Sequence, residues 1–166
     1  KRLHGVIASL RNRGEFVGDE LETFLLTSPP DTIKAKSLLL VGLGDEQNLS
    51  LELMERVGRV VQREASRLGA KRVAFAPLLR DQGNSKLAVG EVETAVVRGA
   101  LLAYNTEQRL QAESFAQPYF LEEWIVEAGP AFFDETVTGV QQGIDAAKKA
   151  ADARPTAAYS TTKREP

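Results

Sequence analysis

Short apolar runs alternate with longer segments of helical periodicity along this chain. The predicted strands are residues 22–28, 37–43, 71–79 and 119–128. The predicted helices are residues 3–13, 51–68, 86–104 or beyond, and 134–153. Strands that alternate with helices favour a mostly parallel or mixed sheet sandwiched between helices.

Each of the longer helices has one apolar face, which predicts the side that packs. Ser50 is suited to cap the second helix and Asp134 the last one. The residues predicted to face inward are Leu53, Val57, Val60, Val61 and Leu68 in the second helix, Val89, Val92, Val96, Gly99 and Ala103 in the third, and Val137, Val140, Ile144 and Ala147 in the last. Because Gly99, Ala100 and Ala103 are small, we expect the third helix to lie close to a sheet.

The composition is that of an ordinary globular domain. The chain has 166 residues, 43% hydrophobic and 27% charged, and its net charge of −2 gives no general attraction to nucleic acid or acidic membranes. It has no cysteine, which excludes disulfides, thiolate metal sites and thiol nucleophiles. No apolar run approaches the ~20 residues of a membrane-spanning helix. The sequence begins at Lys1 rather than Met and leaves open whether a signal peptide preceded it.

We therefore predict an α/β fold, a three-layer α/β/α sandwich with a mixed, mostly parallel sheet. One domain is expected to cover residues 1–153. The remaining residues, 154–166, show no periodic pattern and are expected to form an extended tail or linker.

Gly42-Leu43-Gly44 follows a predicted strand, and this position often binds phosphate in nucleotide-binding domains. The dinucleotide fingerprint requires a third glycine where this chain has Gln47. Asp45 and Glu46 would repel an anion, and the helix begins only after Ser50. We interpret the glycines as a structural turn rather than a nucleotide site.

The same stretch carries a family resemblance. The segment AKSLLLVGLGDEQNLSLELMERVG is similar to the N-terminal domain of the M17 leucyl aminopeptidases, in which a strand ending Val-Gly-Leu-Gly leads through an acidic turn into a helix. Upstream, LRNRGEFVGDELETFLLTSP resembles the family segment that contains Gly14, Phe16, Gly18, Glu22 and Thr23. Downstream, LGAKRVAFAPLL and VVRGALLAYNTEQRL match the strand and the small-residue helix that follow. The likeness covers about residues 10–110 and continues loosely to about 154.

This resemblance implies a macro-like domain that is cytoplasmic and does not carry the family's catalytic centre. It also implies that the first strand and part of the first helix are absent from this sequence. The M17 peptidases bind two metal ions through a Gly-Lys-Gly…Asp-Ser-Gly-Gly segment and an Asn-Thr-Asp-Ala-Glu-Gly-Arg segment, and neither occurs here. We therefore expect no catalytic residue, no bound metal or cofactor, and no peptidase activity of this chain.

The segment YNTEQRLQ imitates the second metal motif. It shares Asn105, Thr106, Glu107, Arg109 and Leu110 with that motif but lacks its aspartate. Two-metal hydrolysis needs several converging carboxylates, and one glutamate cannot supply that set. We interpret the segment as structural.

Other polar residues have ordinary structural interpretations. His4 is the only histidine and is expected at the surface or at a helix end. Asp81, Asn84 and Ser85 follow a strand, where α/β sites often lie, but they suit a helix-capping loop better. Trp124 is expected to be a core or partner-facing residue.

Arginines form a basic stripe on the second helix, at positions 56, 59, 63 and 67, and Lys71 and Arg72 continue it. Such a stripe could follow a phosphate backbone. Glu52 and Glu55 lie four residues before Arg56 and Arg59, however, which favours a solvated, ion-paired helix face. Arg63 and Arg67 are then the freer charges.

Three functions remain open. The first is a non-catalytic M17 N-terminal-type domain with an assembly or regulatory role, whose partner is itself or a catalytic aminopeptidase. The second is a macro-like module that binds ADP-ribose or another nucleotide, although the Asn-rich and triple-glycine loops of such modules are not seen. The third is an accessory DNA-binding domain based on the arginine stripe. We favour the first, and we expect neither nucleic acid nor a membrane as a partner.

Overall fold

The computed structural model describes residues 3–77, 79 and 83–159 of the chain. The helices are α1 (Val6–Asn12), α2 (Leu51–Arg67), α3 (Val89–Ala112) and α4 (Phe133–Asp152). The strands are β1 (Thr23–Leu26), β2 (Leu38–Val41), β3 (Arg72–Phe75) and β4 (Glu123–Val126). Short 3-10 turns at Glu46–Asn48 and Pro130–Phe132 precede α2 and α4. The chain is therefore of the mixed α/β class, as its sequence predicts.

The described strands form two separate pairs. β1 and β2 are antiparallel, with Thr23 opposite Val41 and Leu26 opposite Leu38. β3 and β4 are parallel, with Arg72 opposite Glu123. Each predicted strand contains the observed one but is too long, because an apolar run includes residues that lead into turns and lack a strand partner. A single sheet within a three-layer sandwich is not established by these two pairs and stays a prediction.

The start of α2 is confirmed, whereas the start of α4 differs from the prediction. The Ser50 hydroxyl oxygen accepts a hydrogen bond from the Leu53 N–H at 3.2 Å, which satisfies one of the free N–H groups of the first turn. α4 begins at Phe133, so Asp134 lies inside its first turn and is not the cap. The 3-10 turn at Pro130–Phe132 leads directly into α4 and sets where that helix starts.

The core lies on two sides of α2. Its inward stripe, Leu53, Val57 and Val61, packs against side chains of three strands, namely Val41, Val73, Phe75 and Trp124. Its neighbouring face packs through Met54 on α3, against Val92, Ala95 and Val96. The prediction that Leu68 faces inward is wrong, because this residue comes after the last turn of α2 and is 44% exposed.

α2 and α3 approach so closely that their contact positions have no room for a side chain. A Cβ atom on Gly58 would lie 2.1 Å from the carbonyl oxygen of Val96, and one on Gly99 would lie 2.0 Å from that of Glu55. The prediction that the small face of α3 meets a sheet is therefore wrong for Gly99, which meets a helix. Periodicity identifies a face that permits close approach but not the element that makes it.

α4 packs on α3 through a face that its sequence does not predict. The buried positions of α4 are Thr136, Gly139, Gly143 and Ala147. A Cβ on Gly139 would lie 2.3 Å from the carbonyl oxygen of Gly90, so the two helices touch through their backbones. Of the residues predicted to face inward, Ala147 is buried, but Val137 and Ile144 are 50% and 39% exposed. That part of the prediction is wrong.

Candidate functional site

The glycine turn after β2 holds the segment before β1. The Gly42 N–H donates to the carbonyl oxygen of Glu22 at 2.7 Å, and the Gly42 carbonyl accepts from the Leu21 N–H at 2.9 Å. The Gly44 N–H donates to the carbonyl oxygen of Gly18 at 2.9 Å. These N–H groups are therefore engaged inside the domain and do not converge on an outside anion, which supports the structural interpretation of the turn.

A cradle of backbone N–H groups does exist beside this turn, and the chain's own carboxylate fills it. Glu22 Oε2 accepts hydrogen bonds from the N–H groups of Val17, Gly18 and Asp19 at 3.0, 2.7 and 3.1 Å. Successive N–H groups of this kind form the anion-binding concavity that phosphates occupy in other proteins. Gly18 has a φ of +90°, a conformation that favours glycine. The motif around Gly18 and Glu22 is thus explained by an internal turn.

The segment that imitates a metal motif lies within the last turns of α3 and receives the chain after α4. Arg154 Nη1 donates to Asn105 Oδ1 at 2.9 Å and to Thr106 Oγ1 at 3.0 Å. It also donates to the carbonyl oxygen of Leu102 at 3.2 Å. Glu107 accepts a hydrogen bond from the Ser66 hydroxyl at 2.8 Å, which ties α3 to α2.

Arg109 continues the same contact with the end of the chain. Its Nη2 donates to the carbonyl oxygen of Ala157 at 3.2 Å, and its guanidinium lies 4.6 Å from the ring centroid of Tyr159. Residues 154–159 therefore lie along the surface of α3. The division of the chain into a domain and a tail stays a prediction. Across the part of the chain that the structure describes, no group of three or more His, Cys, Asp or Glu side chains could hold a metal ion.

The arginine stripe of α2 is largely ion-paired. Arg59 pairs with Glu55, as predicted. Arg56 pairs with Glu20 and not with Glu52, because the turn before β1 brings a closer carboxylate. The prediction that Arg67 is one of the freer charges is wrong, since Arg67 pairs with Glu64 one turn earlier.

The basic residues after α2 are paired as well. Lys71 Nζ lies 3.1 Å from Glu122 Oε1, and Arg72 pairs with Glu123 across the parallel strands β3 and β4. Arg63 is exposed and has no ion-pair partner among the described residues. The stripe that the sequence suggests thus presents few uncompensated positive charges.

Glu55 joins α2 to α3 through two arginines. It pairs with Arg59 on its own helix and with Arg98 on α3. Burial raises the pKa of this carboxyl, but the hydrogen bonds and positive charges of Arg59 and Arg98 outweigh burial and hold the pKa below its ordinary value. The pair with Arg98 lies beside the point where Gly99 touches α2.

The loop before α3 has a different role from the one predicted. Asn84 is buried, and its Nδ2 donates to Glu46 Oε1 at 3.0 Å while its Oδ1 accepts from the Lys86 N–H at 3.1 Å. Asn84 therefore ties this loop to the turn before α2 instead of capping α3. Ser85 is exposed, and Asp81 lies outside the described residues.

α4 supplies a side chain to the first turn of α3. Glu135 Oε1 accepts a hydrogen bond from the Gly90 N–H at 2.9 Å. An open groove of about 390 Å³ lies between the N-terminal ends of the two helices, and its lining includes the carboxylates of Glu91, Asp134 and Glu135. This acidic lining does not suit a phosphate.

His4 and Trp124 have the structural positions that their sequence context predicts. His4 is exposed in the turn before α1. Trp124 is half-buried and packs against the apolar face of α2 formed by Leu53, Val57 and Val61. Its ring centroid lies 6.3 Å from that of Phe75.

Glu93 is a buried ionisable residue that the sequence interpretation missed. It is 1% exposed in the middle of α3, and its Oε2 has no hydrogen-bond partner among the described residues. Burial, together with the negative charge of Glu127, raises the pKa of Glu93 to about 7. Its position between the apolar residues Val92 and Val96 was the signal that could have identified it.

One side of α4 carries apolar residues, of which Val137, Val140 and Ile144 are predicted from the sequence to be buried. Phe133, Val137, Val140 and Ile144, hereafter the α4 stripe, follow one another at intervals of four, three and four residues. Phe133 is 58% exposed, and Val140 is half-buried. A contiguous apolar surface of this kind is typical of a contact site.

The fold, the interlocked glycine motifs and the comparisons with known proteins define the class of this chain. The family model described as "Cytosol aminopeptidase family, N-terminal domain" matches residues 1–114. The chain belongs to this family, the M17 aminopeptidases, and corresponds to its N-terminal domain.

Two curated relatives agree with this assignment. A probable cytosol aminopeptidase of Thermosynechococcus vestitus is 30% identical over 117 residues, which cover 70% of this chain and 22% of the relative. A probable cytosol aminopeptidase of Alkaliphilus oremlandii is 33% identical over 128 residues, which cover 74% of this chain and 25% of the relative. The chain thus spans about a quarter of the length of these relatives. No helix among the described residues is long and apolar enough to cross a membrane.

Proposed function

We propose that this chain is a non-catalytic domain that serves assembly or regulation of an M17-type aminopeptidase through protein contacts. The observation that carries the proposal is the α4 stripe, a continuous apolar surface on the last described helix. The polar groups that resemble nucleotide or metal sites also support the proposal. The glycine turn, the cradle around Glu22 and the segment 104–111 are all occupied by contacts within the domain.

The partner that we propose is a second copy of the chain or a catalytic aminopeptidase. A cytoplasmic location fits the relatives, which are named cytosol aminopeptidases. The three-layer, macro-like sandwich belongs to the same proposal. α2 and α3 cover one side of the strands, and on the other side Ala74 and the 42%-exposed Ile125 present an apolar surface for a third layer.

The nucleotide and DNA alternatives have less support. The N–H groups of Gly42 and Gly44 donate to carbonyl oxygens of the chain, and five of the six basic residues of the stripe are ion-paired. A nucleotide would have to displace the Glu22 carboxylate from its three N–H donors.

The test of the catalytic part of the proposal is an aminopeptidase assay. The purified chain is expected to release no product from a leucyl chromogenic substrate in the presence of zinc or manganese, because two-metal catalysis needs a bridging set of carboxylates. A catalytic M17 enzyme in the same buffer is the positive control. Metal-dependent turnover that co-purifies with the chain through successive columns would refute the proposal.

A further inference from the structure

The chain that follows α4 is held along α3 by a row of polar side chains, one on each successive turn of that helix. Asn105, Arg109 and Glu113 are spaced four residues apart and therefore lie one above another on one face of α3. Each of the three contacts the segment 154–159, hereafter the strap. The first two belong to the segment that imitates a metal motif, so the row gives that segment a role of its own.

The strap begins at Arg154, which is half-buried. Its Nη1 lies within hydrogen-bond distance of three acceptors, the Leu102 carbonyl, Asn105 Oδ1 and Thr106 Oγ1. The Thr106 hydroxyl donates to the same carbonyl at 3.0 Å. Pro155 follows directly, and α4 ends before it because a helical conformation is disfavoured for the residue that precedes a proline. The chain thus leaves α4 and turns onto α3.

Two further anchors hold the far end of the strap. Arg109 Nη2 donates to the carbonyl oxygen of Ala157 at 3.2 Å, and its guanidinium lies 4.6 Å from the ring centroid of Tyr159, which is a cation–π distance. Glu113 Oε2 accepts a hydrogen bond from the Tyr159 N–H at 2.8 Å. The helix rises about 12 Å from Asn105 to Glu113, and an extended chain of five residues spans at most about 17 Å. The strap is therefore long enough to reach from its first anchor to its last.

We infer that the strap has two states, a docked state, which is the one in the structure, and a released state in which it leaves α3. The side chains of the row are only partly buried, and contacts of this kind each contribute little to stability. Ordering the backbone of every strap residue opposes docking. Because these opposing contributions are of similar size, the two states lie close in free energy, and loss of one anchor is expected to release the strap.

The docked strap sets the point at which the chain leaves the domain. Arg154 lies beside Leu102, whereas Tyr159 is held beside Glu113 at the C-terminal end of α3. These two positions are about 16 Å apart along α3, eleven residues at ~1.5 Å each. A docked strap therefore fixes the exit point and a released one frees it. The inference concerns the course of the chain and is independent of the assembly function proposed above.

Nuclear magnetic resonance measures whether the strap is ordered. In the original chain the backbone amide order parameters of residues 156–159 are expected to exceed about 0.6, below which a segment is flexible on the ps–ns timescale. Arg109→Ala removes the hydrogen bond to Ala157 and the contact with the Tyr159 ring together. We expect it to lower the ratio of docked to released strap about tenfold, so that these order parameters fall. Arg63→Ala, an exposed arginine of α2 away from the row, is the matched control and is expected to leave them unchanged.

Tyr159 provides a conservative comparison. Tyr159→Phe keeps an aromatic ring beside Arg109 and is expected to keep the strap ordered. Tyr159→Ala removes the ring and is expected to lower the order parameters of the strap. Both variants retain the N–H that Glu113 accepts, so their difference isolates the ring contact.

A spin label shows where the strap lies. Because the chain has no cysteine, a nitroxide on Ala158→Cys, an exposed strap position, is the single label. It is expected to broaden the amide signals of the last two turns of α3 more than those of its first two turns, and Arg109→Ala in the same labelled chain is expected to weaken this broadening. Unchanged signals elsewhere in the domain show that each variant is folded. Order parameters below about 0.6 in the original chain, or order and broadening that Arg109→Ala leaves unchanged, would overturn the inference.

Discussion

The turn at residues 17–22 is held by a carboxylate on one side and by a glycine on the other. Glu22 accepts three backbone N–H groups, and Gly42 lies against the Asp19 carbonyl with no space between them. A Cβ on Gly42 would lie 2.0 Å from that oxygen. The glycine is therefore required for backbone approach and not for a ligand.

Gly42→Ala is expected to destabilise the domain by about 1–3 kcal/mol or more, as overpacking of a rigid backbone contact does. The measurement is the free energy of unfolding in urea. Gly129→Ala is the matched control, because a Cβ on Gly129 meets no atom within 4 Å. If both variants unfold at the same urea concentration as the original chain, the close contact between residues 42 and 19 is wrong.

Glu93 makes the stability of the domain depend on pH. The pKa of about 7 in the folded protein lies above the ordinary value of 4.5, so the folded state holds a proton that the unfolded state releases. The stabilisation of the folded state that comes from protonated Glu93 is fully present below pH 4.5 and is lost as the pH rises through 7. A shift of this size corresponds to roughly 3 kcal/mol.

Glu93→Gln is expected to abolish that loss, so that the variant exceeds the original chain in stability at pH 8 but not at pH 4.5. Urea unfolding at half-unit steps between pH 4.5 and 8 measures the slope. Glu91→Gln, an exposed neighbour on the same helix, is expected to keep the original pH dependence. An unchanged slope in Glu93→Gln would assign the effect to another group.

At the scale of elements, glycines bring the three long helices into close contact. Gly58 and Gly99 bring α2 and α3 together, and Gly139 does the same for α3 and α4. In an isolated helix glycine is about 1 kcal/mol less favourable than alanine. Here the close helix contacts and the bridge from Glu55 to Arg98 offset that cost.

Gly99→Ala is therefore expected to destabilise the domain by about 1–3 kcal/mol, opposite in sign to its effect on an isolated helix. Gly90→Ala is the milder comparison, since its Cβ would lie 3.1 Å from the side chain and from the carbonyl oxygen of Glu135, whereas a Cβ on Gly99 would lie 2.0 Å from the carbonyl oxygen of Glu55. Thermal unfolding of both variants measures the difference, and Gly99→Ala is expected to be the less stable of the two. A Gly99→Ala variant that melts above the original chain would show that the α2–α3 contact is looser than described.

For the whole molecule, charge gives no general attraction to nucleic acid. The net charge is −2, and Arg63 is the exposed arginine of α2 without an ion pair among the described residues. We expect any affinity for duplex DNA at physiological salt to be weaker than about 1 μM, which is the non-specific range.

Gel-shift titration of the original chain and of Arg63→Ala measures that affinity. Arg67→Ala is the control, because Arg67 already pairs with Glu64. Submicromolar binding that Arg63→Ala removes and Arg67→Ala keeps would restore the DNA-binding hypothesis.

The sequence by itself determined the local features of this protein. Ser50 set the start of α2, and the Leu53–Val57–Val61 stripe set its core face, because capping and periodicity depend on neighbours in the chain. The departure of Gln47 from the third glycine of a nucleotide fingerprint could also be recognised without coordinates. The family followed from the order and spacing of these motifs, and the match to residues 1–114 confirms it.

Only the tertiary structure decided which faces meet. Periodicity placed Val137 and Ile144 inside because they are apolar, but α4 packs through Gly139 and Gly143, since a closer backbone approach to α3 is possible there. Arg56 likewise forms an ion pair with Glu20, a residue distant in the chain, and not with Glu52 on its own helix. Apolar character and charge are properties of single residues. Contact depends on the shapes of two elements that pack together, so neither segment alone determines which faces meet.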